Sequence, residues 1–326
     1  MAKKIIVVIG ATGKQGGSVA NTFLGLPEWH VRALTRNPSS DASGSLAARG
    51  AEVVRGDLAE PSTLTKAFEN ANAIFLNTDF WEIYLPAKAA LDDEGKAPEP
   101  ASIKAFTNET TNGKNAVDAA AAVPTLERFV YSALGSVSKG SEGKYTRSMH
   151  TDAKGAVVEY IETKPTLAEK TSLIYLGAYV ENRMLSPRFD PSSGKYVIHT
   201  AIKEHLKVPI IRPRESTGPF VRALIEDEAP GVKLLAYDCR LTMAEVMDRW
   251  SKASGKEAAY IFVTTKELHE NMGLPYELLD AFDAVNEFGY NAGLRLIEPD
   301  QLKNKVQTKS FEDWLGEKDW SKQLSA

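Results

Sequence analysis

One cysteine in 326 residues, Cys239, is too few for an internal disulfide or a CxxC metal pair. That count suits a reducing compartment inside the cell, cytoplasmic by default and nuclear if the protein is a regulator. The thiol itself reads as a small, half-buried residue. No stretch reaches the roughly 18 apolar residues of a membrane span. Met1-Ala2-Lys3-Lys4 leads into a short apolar run, Ile5 to Ile9, and then at once into a glycine turn, which is no signal peptide. A basic excess is missing too: 39 Lys and Arg stand against 43 Asp and Glu, a net charge of −4, so nothing advertises direct contact with nucleic acid. The histidines (His30, His150, His199, His205, His269) lack ligand spacing, and neither HExxH nor GxSxG occurs, so no metal site is assigned and metal or serine hydrolysis lacks its parts. Internal repeats and low-complexity tracts are absent as well.

What is present is an ordinary globular composition, 43% apolar and 25% charged, with strict alternation of strand and helix patterns. Ile5–Ile9 is a β-branched run of the kind buried on both faces of a parallel sheet. Strands are predicted over Val31–Thr35, Glu52–Arg55, Ala73–Asn77, Arg128–Ser132 and Ser172–Leu176. Helical patterns cover Gly17–Leu24, Leu46–Arg49, Ser62–Glu69, Asn108–Ala122 and Thr151–Thr163. Alternation of this kind gives βαβ units and an α/β fold, a doubly wound Rossmann-type parallel sheet. Leu91 to Pro100 breaks the rhythm with charge and proline, and predicts a surface insertion or flexible lid near residues 91–107. Residues 1–183 read as the dinucleotide-binding part and 184–326 as a smaller α+β region. That region has strands over Tyr196–Thr200, Leu234–Ala236 and Ala259–Val263, and helices over Phe220–Ile225, Met243–Ser254, Lys266–Met272 and Tyr276–Phe288. The boundary is approximate, because sheet strands can return from the second half.

The turn after the first strand is Gly10-Ala11-Thr12-Gly13-Lys14-Gln15-Gly16. Gly10 can leave the strand without a Cβ clash, Gly13 lets backbone approach a pyrophosphate, and Gly16 lets the first helix pack closely. The helix N-terminus offers free N–H groups to phosphate. A strand before and a helix after supply the context that a glycine pattern alone lacks. The end of the second strand selects the cofactor: an acid there bonds the 2′-hydroxyl of NAD, an arginine accommodates the 2′-phosphate of NADP. The residues are Thr35-Arg36-Asn37-Pro38-Ser39, with no acid before Asp41, so NADP(H) is expected, with Arg36 as phosphate fork and Asn37 beside it. Asp57 ends the third strand near the adenine edge. Asn77, Thr78, Asp79, Phe80 and Trp81 follow the fourth strand into the cleft, where a helix cap is the competing role for Asp and Thr.

GATGKQGGSVA, ALTRNP, VVRGDL and AIFLNTDFWE together resemble the NmrA-like branch of the atypical short-chain dehydrogenases. His150-Thr151-Asp152-Ala153-Lys154-Gly155, Leu176-Gly177-Ala178-Tyr179-Val180-Glu181-Asn182 and Thr217-Gly218-Pro219-Phe220-Val221 continue the likeness. That family holds NADPH-dependent reductases similar to isoflavone reductases, NADP-responsive redox sensors and transcriptional co-regulators. The resemblance implies cofactor contacts at Gly10 to Gly16, Arg36, Asn37, Asp57, Leu58, Thr78 to Phe80, Lys154, and Tyr179 to Asn182. Ordinary short-chain dehydrogenases place a proton-transferring Tyr four residues before the Lys, on one helix face. Here that position is His150. Three readings stay open: His150 as the acid, Lys154 as the acid–base group, or Lys154 as a ribose ligand without turnover. Ser132, ending the fifth strand, is the candidate substrate-orienting hydroxyl, and Tyr145 lies in a flexible-looking segment. Phe80, Trp81, Tyr179 and Met184 are expected to shape a pocket. The protein is read as an oxidoreductase acting on a carbonyl, imine or activated alkene of a small molecule. The alternative is an inactive NADP(H) sensor that binds a regulatory protein partner.

Overall fold

Lys4–Ile9 divides its side chains between the two faces of one sheet. Ile6 and Val8 join an apolar cluster with Val19, Phe23 and Phe220, while Val7 and Ile9 join a second with Leu64, Phe68 and Phe129. A strand buried on both faces needs a helical layer on each, which the βαβ alternation supplies. The structure is a computed structural model that describes residues 2–93 and 95–324.

From the N-terminus the elements are β1 (Lys4–Ile9), α1 (Lys14–Leu24), β2 (Trp29–Thr35), α2 (Asp41–Ala48), β3 (Glu52–Arg55), α3 (Pro61–Ala67), β4 (Ala73–Leu76), α4 (Trp81–Asp93), α5 (Glu99–Ala121), β5 (Arg128–Ala133), α6 (Val137–Gly140), α7 (Met149–Glu162), α8 (Pro165–Ala168) and β6 (Thr171–Leu176). There follow β7 (Ala178–Tyr179), β8 (Arg188–Asp190), β9 (Lys195–Thr200), β10 (Val208–Ile211), α9 (Pro213–Arg222), β11 (Lys233–Ala236), β12 (Cys239–Leu241), α10 (Met243–Ser254), β13 (Ala258–Phe262), α11 (Thr265–Met272), α12 (Tyr276–Phe288), α13 (Phe311–Gly316) and α14 (Trp320–Gln323).

Seven strands form the main sheet in the order β3-β2-β1-β4-β5-β6-β11, every neighbour pair parallel. The order reverses between β1 and β4, which opens a crevice beyond their carboxyl ends. The last strand, β11, comes from beyond residue 184. So does α9, which lies so close on α1 that a Cβ on Gly218 would sit 2.2 Å from Thr22 Oγ1 and 2.3 Å from the Ser18 carbonyl oxygen. Two small sheets, β12-β10-β7 and β13-β9-β8, complete the α+β part. Among the described residues no helix is long and apolar enough to cross a membrane.

Three segments depart from the sequence-based expectations. Most of the segment expected as an insertion near 91–107 is helical: Leu91 to Asp93 finish α4, and α5 begins at Glu99. α4 itself was not anticipated, since Pro86 lies inside it. α9 starts at Pro213, seven residues before the expected Phe220, because Pro219 and Gly218 mask a helix that packing against α1 imposes.

The C-terminal residues are tied down by Arg212, 2% exposed, whose guanidinium reaches Glu317 Oε2 at 2.7 Å. Its backbone N–H donates to Asp238 Oδ2 at 2.6 Å. Burial, opposed by that hydrogen bond, pushes the Asp238 carboxyl up to about 6.

Two predictions follow from this packing. Gly218→Ala must drive Cβ into backbone, and costs about 2 kcal/mol or more in urea unfolding. Asp238 holds its proton in the folded state at pH values where the unfolded chain has lost it. Its contribution to stability therefore falls as pH rises from the ordinary value of 3.8 to about 6, and is level above that. Asp238→Asn removes this decline, at most about 1.4 kcal/mol per pH unit. Melts across pH 4–7 should show a flatter profile for the variant.

Candidate functional site

The crevice at the switch point is built first by glycine. Gly10 has φ +66°, a left-handed turn out of β1. A Cβ on Gly16 would lie 2.3 Å from the Gly10 carbonyl oxygen, so helix and turn touch through bare backbone. α1 starts at Lys14 with no side-chain cap and no acid in its first turn. Its leading N–H groups and the positive end of the helix dipole therefore face the crevice without an acid of their own turn, while Glu181 pairs with the Lys14 ammonium at 3.2 Å. These features fit a pyrophosphate, and Gly10, Gly13, Lys14, Gln15 and Gly16 could hold one. Thr12 is exposed on the turn and Ala11 is buried beneath it.

A cavity of about 650 Å³ runs from this turn across the ends of β4 and β5 to α12. Of the sequence-predicted residues it brings together Gly13, Lys14, Gln15, Asn77, Thr78, Asp79, Phe80, Ser132, His150, Lys154, Tyr179 and Asn182. Trp81 and Met184 line it too. Its far wall is apolar: Leu278, Ala281, Phe282 and Val285 of α12, with Tyr290 after it. Gly10, Ala11, Thr12, Gly16, Arg36, Asn37, Asp57 and Leu58 are not in the lining. Arg36, Asn37, Asp57 and Leu58 follow β2 and β3 along the same sheet edge.

Several of these side chains have engagements the sequence did not reveal. The exposed Arg36 guanidinium is paired with Glu82 in the first turn of α4, and that hydrogen bond holds it above its usual range. Asp79 Oδ1 accepts from the Trp81 and Glu82 N–H groups, so it caps α4. Asn37 Oδ1 accepts from Ser39, and Asp57 Oδ1 accepts from the Ala59 N–H, both local turns. Gln15 donates to Tyr179 Oη at 2.6 Å, and burial pushes that phenol up to about 12. Asn182 accepts from the Met184 N–H. The Leu58 carbonyl accepts from Asn115. Tyr145 does not enter the cavity; its hydroxyl donates to Glu287. Burial pushes the Cys239 thiol up to about 11, which suits an inert residue.

Lys154 and His150, one turn apart on α7, each meet a buried carboxylate that sequence reasoning missed. Lys154 Nζ lies 2.9 Å from Glu109 Oε1 on α5, and donates to the Thr78 carbonyl at 2.9 Å and to Thr78 Oγ1 at 3.1 Å. Glu109 is 1% exposed, and Thr78 Oγ1 donates to the same oxygen at 2.6 Å. Burial, then the Glu109 charge, holds the Tyr131 phenol well above its usual range beside them. His150 Nδ1 lies 2.8 Å from Glu277 Oε1 on α12, and its backbone N–H donates to that oxygen at 2.7 Å. A signal for both acids exists. Glu109 follows Ala105 and precedes Gly113 at spacings of four on the buried stripe of α5, and Glu277 and Asp280 share the buried face of α12 with Ala284. An acid on an apolar stripe implies a buried partner.

A doubly wound sheet with a glycine turn, an uncapped helix start and a cleft at its switch point defines a Rossmann-type ligand-binding protein. Residues 2–315 match the model of the NmrA-like family, and the chain belongs to that family. The NmrA-like family domain-containing oxidoreductase hkm9 of Aspergillus hancockii is 28% identical over 285 residues, covering 83% of this chain and 79% of that one. A crystal structure of NmrA, a negative transcriptional regulator, in complex with NADP superposes with a TM-score of 0.69 at 18% identity, over 98% of this chain and all of that one. The binary complex of leucoanthocyanidin reductase and NADPH from Vitis vinifera gives 0.68 at 17% identity, over 96% of this chain and 98% of that one.

Removing one partner of a buried pair strands the other charge. Glu109→Ala is expected to cost about 3 kcal/mol in urea unfolding, and most of that returns in the Glu109→Ala, Lys154→Met double variant. Additive losses in the two single variants would show that the pair is not coupled.

Proposed function

We propose that the chain is an NADP(H)-dependent oxidoreductase that reduces a carbonyl, imine or activated alkene of a small organic molecule. The observation that carries this is the cavity of about 650 Å³ between the glycine turn and the apolar wall of α12, with Lys154 and His150 in its lining. A pocket of that size with few convergent polar groups suits a small substrate beside a dinucleotide. The bound nucleotide would supply the hydride. Around it, the N–H groups of Gly10 to Gly16 and of the first turn of α1 hold the pyrophosphate. Arg36, with Asn37 beside it, faces the 2′-phosphate, and Asp57 and Leu58 take the adenine edge. Asn77 to Phe80, Tyr179 and Asn182 border the nicotinamide half, and Lys154 places its positive charge beside the ribose. Ser132 orients the substrate. Residues 1–183 carry the nucleotide part and 184–326 the substrate wall, with α9 and β11 completing the sheet layer. The NADP and NADPH complexes of the two structural neighbours support the choice of nucleotide.

A second reading, a sensor that reports NADP(H) occupancy to a protein partner, draws support from the absence of tyrosine at position 150 and from the pairing of Lys154 with Glu109. Oxidation of NADPH, followed by absorbance against a panel of ketones, imines and enones, separates the two. Turnover supports the oxidoreductase; tight binding without turnover on any substrate favours the sensor.

The nucleotide choice has its own test. Arg36→Ala should weaken NADPH roughly tenfold while leaving NADH nearly unchanged, because only the former has a phosphate for the guanidinium. Glu82→Gln, which frees Arg36 from its competing carboxylate, should move NADPH affinity the other way. Fluorescence titration of both nucleotides reads both effects.

A further inference from the structure

A reduction of C=O or C=N needs a proton as well as a hydride, and the helix that faces the cavity offers two cationic candidates. Lys154 is fully engaged. An ammonium has three donors, and here they meet Glu109 Oε1, the Thr78 carbonyl and Thr78 Oγ1. A proton leaving Lys154 would also strand the buried Glu109 carboxylate without its charge partner, which is costly. His150 is arranged differently. Its Nδ1 is held by Glu277 Oε1 at 2.8 Å, its ring packs against Trp81 at 5.0 Å and Phe80 at 6.0 Å between centroids, and the residue lines the cavity. With Nδ1 committed to the carboxylate and both rings limiting rotation, Nε2 is the nitrogen left for a substrate. Glu277 itself is 3% exposed, and its second oxygen, Oε2, is buried without a hydrogen-bond partner among the described residues.

We propose that His150, through Nε2, delivers the proton in the reduction, that Glu277 is the positioning residue that fixes its Nδ1–H, and that Lys154 serves as a fixed cation. The proposal rests on the oxidoreductase reading above. A reduced nicotinamide dinucleotide, when bound, would supply the hydride that reaches the substrate carbon. The π pair of the C=O or C=N bond moves onto the heteroatom, which forms its bond to the proton as the His150 Nε2–H bond breaks. The bond electrons stay on the ring, now neutral, with its remaining proton on Nδ1 against Glu277. Solvent water restores the Nε2 proton between turnovers. An acid partner at Nδ1 does two things for such a step: it selects one tautomer, and it compensates the imidazolium in a site lined by apolar side chains.

Two measurements test this. In protein labelled with ¹⁵N-histidine and free of nucleotide, long-range ¹⁵N–¹H spectra recorded across a pH series, assigned by loss of the His150→Gln signal, should show that the ring, once neutral, keeps its proton on Nδ1 and leaves Nε2 bare. The opposite tautomer overturns the proposal whatever the kinetics. In steady-state kinetics, His150→Ala should lose about 10²–10⁴-fold in kcat with KM and nucleotide affinity nearly unchanged, and added imidazole should restore part of it, with no such rescue for Lys154→Ala. Glu277→Gln keeps an acceptor for the His150 backbone N–H, so it leaves the start of α7 capped, yet should lower kcat roughly tenfold at unchanged KM. Wild-type kcat in His150→Ala overturns the proton assignment while leaving the oxidoreductase reading intact. Wild-type kcat in Glu277→Gln reduces Glu277 to a helix cap and overturns its part. A wild-type protein that turns over nothing fails at the oxidoreductase reading itself.

Discussion

Helix α7 is clamped between two buried carboxylates, and that clamp fixes two polar side chains, Lys154 and His150, that the helix brings to the cavity. Glu109 reaches Lys154 from α5 on one side, and Glu277 reaches His150 and the first turn of α7 from α12 on the other. Taking a carboxylate out of water is expensive unless it is paired and hydrogen-bonded. Each acid therefore fixes its partner far more tightly than an exposed ion pair would, where the gain is close to zero. The surface bridges on the same molecule, such as Lys4 to Glu127, do not constrain anything comparable. Charge is also buried away from the cleft, at Arg212 beside Glu317, but α7 is held in this way from two sides.

The clamp also connects parts of the chain that are distant in sequence. Gly113 lets α5 approach α7 so closely that a Cβ there would meet Val157 Cγ2 at 2.3 Å, and this approach brings Glu109 within reach of Lys154. Arg147, just before α7, pairs with the buried Asp280 on α12 and lies 3.6 Å over the Tyr276 ring. Two acids on one face of α12 thus hold the same helix start. Small residues permit the approach, and charges then set the register.

The fold was legible in the sequence because it rests on local signals. The β-branched run of β1, the glycine turn and the strand–helix alternation each act within a few residues, and the sheet follows from them. Met243–Ser254 and Tyr276–Phe288 could be placed to the residue, since the first opens with a Thr242–Glu245 capping box and the second starts after Pro275. Where tertiary packing overrode local preference, the reading failed: α9 contains Gly218 and Pro219 yet persists because its apolar side is buried, and α4 contains Pro86 yet is held by the buried Tyr84 with Trp81, Ile83, Ala87 and Leu91 half-buried around it. The site was legible on the side formed by the glycine turn, the strand ends and α7, and not on the side formed by α12. Glu277 is 127 positions from His150, and no pattern near either names the other. What the sequence did contain was the anomaly of acids at positions whose neighbours on the same helix face are Ala, Gly and Leu.

Placing the partner of His150 on α12 has a consequence for the shape of the cavity. Glu277 and Leu278 are adjacent, so on a helix their side chains diverge by about 100°. One is directed at α7, while the other lines the cavity together with Ala281 and Phe282. The same rigid element therefore shapes the pocket and orients the imidazole. A change on the cavity side of α12 that shifts the helix moves Glu277 with it, because packed helices move as units rather than bending locally. Pocket shape and the orientation of the His150 ring are then not independent. Variation of this cavity wall is free only at positions such as Ala281, where a side chain can change size without displacing the helix from α7.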